Sequence, residues 1–473
     1  MTVINTDVCV IGAGAAGLSV ASGTTQLGLK TVLIEQGKMG GDCLNTGCVP
    51  SKSMLSLGAQ VYKTAQLSGT CAVDIDFSDV HYYITESIKT IAPHDSQERF
   101  ESLGVTVLRD TAKFINRSTL QVGEHTVQAR YFVIATGARP AIPEISGLKP
   151  ALCYTSETLF THEKRPEHLV VIGGGAIGLE MAQAHRRLGS RVTILESGCI
   201  LPRMGHQAAG ILREKLSAEG IVFFENATVT SVHHANNQSV TIHFNHDDHN
   251  KNTIEGTHIL LATGRQPNLD VLSLDKAGVA STKHGITVNQ KMQTTNKRIF
   301  ALGDVSGGPQ LTHAAGYQAG IIIRNICFKI PAKTDYSALP QVIYTSPEIA
   351  IVGLNEKEAR TQYKNKIKTV EVPFTENDRA VTERQTDGYI RIITTKRGRI
   401  LGACIIAPHA GELITLWTLA ISARIKISKI AEMIAPYPTY SEISKTVAGQ
   451  WYKDSLFSNK TRGLVRLLQK FTR

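Results

Sequence analysis

One architectural unit occurs twice in this chain and restricts its fold more than any other feature. The first copy runs Asp7-Val8-Cys9-Val10-Ile11, then the glycine turn Gly12-Ala13-Gly14-Ala15-Ala16-Gly17, a helix of small residues, and Thr31-Val32-Leu33-Ile34-Glu35. The second runs Leu169-Val170-Val171-Ile172, then Gly173-Gly174-Gly175-Ala176-Ile177-Gly178, a helix, and Arg191-Val192-Thr193-Ile194-Leu195-Glu196. Each reads strand, glycine turn, helix, strand, acid, which is the pattern of a dinucleotide-binding βαβ unit. The first glycine of each turn (Gly12, Gly173) allows the tight bend. The second (Gly14, Gly175) lets backbone approach a pyrophosphate, and the third (Gly17, Gly178) lets the helix pack on its strand. The helix N-terminus offers N–H groups and positive dipole to the phosphates. The terminal carboxylates, Glu35 and Glu196, accept hydrogen bonds from ribose hydroxyls.

At 473 residues the chain has room for about three domains. The pattern changes beyond about residue 335. Gln341–Thr345, Tyr389–Ile393 and Ile400–Ile406 read as strands and Gly411–Ile425 and Ile427–Ala435 as helices, so an α+β domain with an antiparallel sheet is expected there. The polar stretch Asn245–Asn252 reads as a solvated hairpin tip in preference to a metal site built on His246 and His249.

Apolar runs such as Val170–Ile172 and Ile321–Ile323 are far too short to span a bilayer. The first residues enter a strand almost at once and lack a basic region, which is unlike a signal peptide. Of the eight cysteines (Cys9, Cys43, Cys48, Cys71, Cys153, Cys199, Cys327 and Cys404) a single pair is close in sequence. That usage suits a reducing compartment, where a close pair is more often catalytic or metal-binding than structural, and it predicts a cytoplasmic protein. The formal charge of +11 raises the question of nucleic acid. Nothing resembling a helix-turn-helix, zinc finger or RNA-binding signature accompanies it, so nucleic acid is not an expected partner.

The close cysteine pair lies in Gly40-Gly41-Asp42-Cys43-Leu44-Asn45-Thr46-Gly47-Cys48-Val49-Pro50-Ser51-Lys52. Five residues of straight helix advance about 7.5 Å, whereas a disulfide wants its Cα atoms about 4.4–6.8 Å apart. Cys43 and Cys48 can join only if the segment bends, which Gly47 permits. A redox pair, a metal pair and two separate thiols all remain open on spacing alone, although no second Cys/His pair with ligand spacing lies nearby.

The motif Gly-Gly-x-Cys-x-Asn-x-Gly-Cys-x-Pro-Ser-Lys resembles the active-site signature of the pyridine nucleotide-disulfide oxidoreductases, the family of lipoamide dehydrogenase, glutathione reductase and mercuric reductase. Further likenesses cover nearly the whole chain. Ala135-Thr136-Gly137 and Ala262-Thr263-Gly264-Arg265-Gln266-Pro267-Asn268 resemble the strand-end motifs beside the dinucleotides. Phe300-Ala301-Leu302-Gly303-Asp304 resembles the second flavin motif. Tyr344-Thr345-Ser346-Pro347-Glu348 with Val352-Gly353-Leu354 resembles the start of the dimerisation domain. The resemblance implies an FAD-binding domain over 1–150, completed by about 275–335, an NAD-binding domain over 151–274, and a dimerisation domain over 336–473. It implies a homodimer with FAD and NAD as cofactors, and a redox-active Cys43–Cys48 disulfide. Cys48 would lie nearer the flavin and Cys43 would attack the acceptor, with Lys52 and Glu180 as an ion pair beside the flavin. The implied cofactor contacts are Gly12, Gly14, Gly17, Glu35, Gly41, Lys52, Ala112, Thr136, Gly137 and Asp304 for FAD, and Gly173, Gly175, Gly178, Glu196 and Gly264 for NAD. Glu196 followed by Ser197-Gly198-Cys199, with the next arginine at Arg203, predicts NADH over NADPH.

One departure stands out. Disulfide-reducing members carry His-Pro-Thr with a Glu three residues later, and that His serves as general acid/base. Here the segment reads Pro436-Tyr437-Pro438-Thr439-Tyr440-Ser441-Glu442, with Tyr437 in the His position and Glu442 in register. A phenol of pKa near about 10 shuttles protons poorly at pH 7. Tyr resembles the mercuric reductase branch, yet the cysteine pair which that branch carries near its C-terminus is absent, since Cys404 is the last cysteine. Three readings follow: a reductase of a soft metal ion or other small acceptor, a lipoamide or glutathione-type disulfide reductase, or a weakly active flavoprotein that serves as a binding or membrane-associated subunit. Leu464, Leu467, Leu468 and Phe471 recur at helical spacing among Lys460, Arg462, Arg466, Lys470 and Arg473. A basic amphipathic helix over 460–473 is expected, either packed as a terminal helix on its own dimer with its basic face in water or in peripheral contact with the inner face of a membrane.

Overall fold

The computed structural model describes residues 2–69, 75–235, 239–247 and 250–471, so Cys71, His249 and Arg473 lie outside the described residues. These residues form two compact units, Met1–Ile200 with Glu219–Asp335, and Leu201–Ala218 with Tyr336–Arg473.

In the first unit each glycine-turn repeat nucleates a parallel sheet. Strands in the order Thr106–Leu108, Thr31–Ile34, Thr2–Ile11 and His125–Ile134 run parallel, and Ile299–Ala301 joins the last of them, also parallel. The antiparallel pair Thr119–Val122 and Ala112–Asn116 extends the same edge. The second parallel sheet has the order Ile221–Phe224, Arg191–Leu195, His168–Ile172 and His258–Leu261. Val8 to Ile11 and Leu169 to Ile172 are buried without alternation, as strands covered on both faces must be. An antiparallel meander, Ala227–Ala235, Ser239–His246 and Asn250–Gly256, follows the second sheet. The hairpin expected at Asn245–Asn252 is there, with strand pairing that continues to His246↔Asn250 and so leaves a tip shorter than the expected stretch.

The second unit is built on a five-stranded antiparallel sheet in the order Gln341–Ile343, Glu348–Gly353, Ile400–Ala407, Tyr389–Thr395 and Ile367–Pro373. Alternation selects one face: Ala350, Val352, Ile390, Ile392, Ala403 and Ile405 pack against Trp417 of the helix Ala410–Ser422 and Val447 of the helix Glu442–Leu456. Trp417 is fully buried and its indole N–H donates to Ser444 Oγ at 3.3 Å. Removing such a side chain typically costs about 3–5 kcal/mol. Three expectations change here. The helix expected over Ile427–Ala435 ends at Ala431, and Pro436 bars its continuation through Ala435. Strands Glu348–Gly353 and Ile367–Pro373 and the helix Glu442–Leu456 were not anticipated. The helix His206–Ala218 belongs with this unit, where Lys215 Nζ pairs with Asp387 Oδ2 at 2.7 Å.

Candidate active site

The two glycine turns are near copies in geometry. A Cβ on Gly12 would collide with Ala135 O and one on Gly17 with Gly12 O. In the second turn the colliding pairs are Gly173 with Ala262 O and Gly178 with Gly173 O. These four glycines are therefore demanded by the protein's own packing. Gly175 is different, since a Cβ there would meet nothing within 4 Å. The open space there lies at the start of the helix Ala176–Arg187, where a pyrophosphate fits. Glu35 Oε2 accepts from Ala13 N and Oε1 from Gly37 N, both at 2.6 Å. Glu196 Oε2 accepts from Gly174 N at 2.6 Å and Oε1 from Gly198 N at 2.9 Å. Both acids are thus fixed against their turns, with lone pairs left for ribose hydroxyls. The described features fit FAD on the first turn and a nicotinamide dinucleotide on the second.

The strand-end motifs cross-link the two halves. Thr136 Oγ1 donates to Asn268 O at 2.9 Å and Asn268 Nδ2 returns a bond to Thr136 O at 2.9 Å. Gly137 and Gly264 both adopt positive φ with open space where a Cβ would stand. Asp304, just beyond Ile299–Ala301, pairs with Arg265 Nε at 3.3 Å, and Arg265 also bonds Asp42, the neighbour of Cys43. Burial raises the Asp304 carboxyl above its usual range, while Arg265 opposes that. Ala112 opens an edge strand and pairs with Val122, three strands away from the first glycine strand in sheet order, so it is not gathered with the cysteines.

The cysteine segment is seated directly on the first glycine turn. Gly40 N donates to Ala13 O at 2.9 Å. Gly41, at φ +57, lies so close that a Cβ would stand 2.7 Å from Gly14 Cα. A short helix, Gly41–Asn45, carries Cys43, and the helix Cys48–Ser68 begins at Cys48. Between them Gly47 folds back until a Cβ would stand 2.9 Å from Asp42 O. This is the bend that the five-residue spacing requires.

Thr312, the first residue of the helix Thr312–Cys327, joins the two sulfurs. Its hydroxyl lies 3.4 Å from Cys48 Sγ and 3.6 Å from Cys43 Sγ. Sequence reading missed it, because a threonine 264 residues away carries no local signal. The thiols are electrostatically unequal. The Cys48 thiol is lowered to about 6, first by the hydrogen bond from Cys43, then by that from Thr312 and the positive charge of Lys52, against burial and Glu180. Cys43 is pushed up, first by its hydrogen bond to Cys48, then by burial and the neighbouring charge. A thiolate is the nucleophile and metal ligand of cysteine chemistry, so the pair holds one reactive sulfur near neutrality.

Lys52 lies one helical turn beyond Cys48 and so on the same face. Its Nζ meets Glu180 Oε2 at 2.7 Å. The contact exists because the helices Cys48–Ser68 and Ala176–Arg187 touch at Gly58, where a Cβ would already lie 3.4 Å from Ala184 O. The Arg187 guanidinium stacks over Tyr62 at 4.6 Å one turn on. Glu180 is buried, so loss of its cation would leave a poorly solvated carboxylate.

In the second unit Tyr437 is exposed, and its hydroxyl donates to Asp378 Oδ2 at 2.8 Å. That bond raises the phenol further above its ordinary range, away from neutral proton exchange. Glu442 opens the helix Glu442–Leu456. Asp378 was not anticipated.

Comparison with known proteins agrees with this geometry. Residues 6–319 match the family described as pyridine nucleotide-disulphide oxidoreductase, and residues 339–448 match its dimerisation domain. A mercuric reductase of Lysinibacillus sphaericus is 34% identical over 461 residues, covering 95% of this chain and 83% of that protein. A dihydrolipoyl dehydrogenase of Geobacillus stearothermophilus is 33% identical over 458 residues, covering 94% and 96%. Among solved structures, the Cu(II) complex of the HOCl-induced flavoprotein disulfide reductase RclA from Escherichia coli superposes with a TM-score of 0.84 at 28% identity, covering 94% of this chain and 99% of that one.

Proposed function

The chain belongs to the pyridine nucleotide-disulphide oxidoreductases, NAD(P)H-dependent flavin enzymes, and on that premise we propose that it carries electrons from NADH to the Cys43–Cys48 pair and from there to a soft metal ion. FAD, when bound, supplies the two-electron relay between nicotinamide and sulfur. Gly14 would admit its pyrophosphate to the turn that Gly12 and Gly17 shape, Glu35 would hold its ribose, and Asp304, held by Arg265, would hold the remainder together with Gly41, Thr136 and Gly137. Gly175, in the turn shaped by Gly173 and Gly178, would do the same for NADH together with Glu196 and Gly264. Glu196 favours NADH because a 2′-phosphate would meet a carboxylate already fixed by two backbone N–H groups.

One observation carries the choice of acceptor: two adjacent thiols joined by a hydroxyl, one of them lowered to about 6. The lowering of the Cys48 thiol favours its thiolate, a soft ligand suited to a soft cation. The reduced pair binds the cation and forms its S–S bond, giving up two electrons and releasing the thiol protons. Those electrons reduce one Hg(II) to Hg(0), or two Cu(II) to Cu(I). No imidazole is needed, because the protons leave to water. Lys52, paired to Glu180, keeps positive charge beside Cys48. Mercuric reductase by its name, and RclA in its Cu(II) complex, are relatives that handle such ions. The dimerisation domain supports a homodimer.

Steady-state oxidation of NADH by the holoenzyme with Hg(II), Cu(II), oxidised lipoamide, oxidised glutathione and quinones as acceptors tests this. Faster turnover with the metal ions than with either sulfur substrate is expected. The reverse order overturns the metal assignment, and negligible turnover with all of them favours the binding-subunit reading. Tyr437→His sharpens the result. General acid/base catalysis is worth about 10²–10⁴-fold, so the variant is expected to gain at least about tenfold with oxidised lipoamide and nothing with metal ions. Absence of a gain at every pH would mean that pocket shape excludes disulfides.

A further inference from the structure

The last helix, Asn459–Gln469, takes no part in the redox chemistry. Ser458 caps it by accepting from Thr461 N at 3.2 Å, and none of its residues is buried. At about 100° per residue, Leu464, Leu467, Leu468 and Phe471 fall on one stripe. They are 54%, 52%, 54% and 78% exposed. A helix of a globular protein ordinarily turns such a stripe into its core. Arg462 and Arg466 occupy the opposite face and Lys470 the flank.

The sequence from Ser455 to Arg473 contains five cations and no Asp or Glu. That charge decides what can cover the stripe. Pairing with the same helix of a second copy would cover the stripe but leave the cations of both segments without an anionic partner. An anionic lipid surface satisfies both properties at once, taking the apolar stripe into the boundary between headgroups and acyl chains and attracting the cations. We propose that this helix docks the enzyme reversibly on an anionic bilayer, lying in the plane of the surface with Leu464, Leu467, Leu468 and Phe471 inserted. Among the described residues no helix is long and apolar enough to cross a membrane, which makes the contact peripheral.

The test uses the FAD-loaded full chain and a chain ending at Ser458, each sedimented with vesicles of phosphatidylcholine alone or mixed with phosphatidylglycerol. The full chain is expected to pellet at least about tenfold more with the anionic vesicles than with the neutral ones. Salt of about 0.5 M should release it, because the Debye length shrinks. The shortened chain should stay in the supernatant with unchanged NADH turnover, since no residue of the helix it loses is buried. Leu464→Ser with Leu468→Ser, and separately Arg462→Glu with Arg466→Glu, should each weaken binding about tenfold or more. Equal pelleting of the full and shortened chains overturns the proposal, as does full binding by the charge-reversed variant. A shortened chain that sediments as a monomer where the full chain is a dimer also overturns it, because the stripe would then be a subunit contact.

Discussion

The two glycine turns share their collisions and their carboxylate anchors, yet differ in what lies over the central glycine. Gly14 is roofed by the cysteine segment, with Gly41 so near that a single carbon would stand 2.7 Å from Gly14 Cα. Gly175 has nothing within 4 Å of where its Cβ would be. One βαβ unit has thus been closed over and coupled to a redox pair, while its duplicate stays open. A covered turn suits a resident cofactor and an open turn an exchanging one, which is the arrangement proposed for FAD and the nicotinamide dinucleotide.

The largest effect should come from the roof's cargo. Cys43→Ser and Cys48→Ser should each lower metal-ion turnover by at least about 10³-fold, as removal of a reacting nucleophile does. FAD should stay bound in stoichiometric amount, because neither sulfur forms part of the glycine seat. Retained turnover in either variant would detach the cysteines from the acceptor.

The open turn comes next. Its carboxylate should make kcat/KM for NADH exceed that for NADPH by about tenfold or more, and Glu196→Ala should remove most of that preference. An enzyme that already accepts NADPH as well as NADH would show that Glu196 does not face the ribose.

Gly41→Ala and Gly175→Ala set the two turns directly against each other. The first forces a side chain at φ +57 against Gly14 backbone, a strain of about 1–3 kcal/mol. It should lower Tm by several degrees and reduce FAD content. The second meets no protein atom, so Tm should hold while KM for NADH rises several-fold. Equal Tm losses in the two variants would abolish the distinction between covered and open turns.

The smallest effect belongs to Thr312→Val. A hydrogen bond is worth about 0.5–1.5 kcal/mol, or up to about one pKa unit. The bond stabilises the thiolate, so its loss should move the Cys48 thiol upward from about 6. The rate of iodoacetamide alkylation against pH in the reduced enzyme would show the rise. An unchanged profile would reduce Thr312 to a packing role.

Much of this was legible before any coordinates. The paired turns, both acids, the bend at Gly47 and the parallel sheets depend on steric rules that act over a few residues, so composition and spacing expose them. The C-terminal unit was read less completely. Glu348–Gly353 and Ile367–Pro373 are short strands whose pairing partners lie elsewhere in the chain, and Ile427–Ala435 carried a helical pattern that Pro436 cuts short.

By itself the amino-acid sequence determined where backbone must come close, because glycine, proline and apolar period write sterics and burial locally. Only the tertiary structure decided which distant groups tune the chemistry. Thr312 reaches the thiols across 264 residues, Arg265 reaches Asp42 across 223, and Asp378 holds Tyr437 across 59. A hydroxyl or a charge alters a pKa through its distance in space, and no residue type announces which remote sulfur or phenol it will meet.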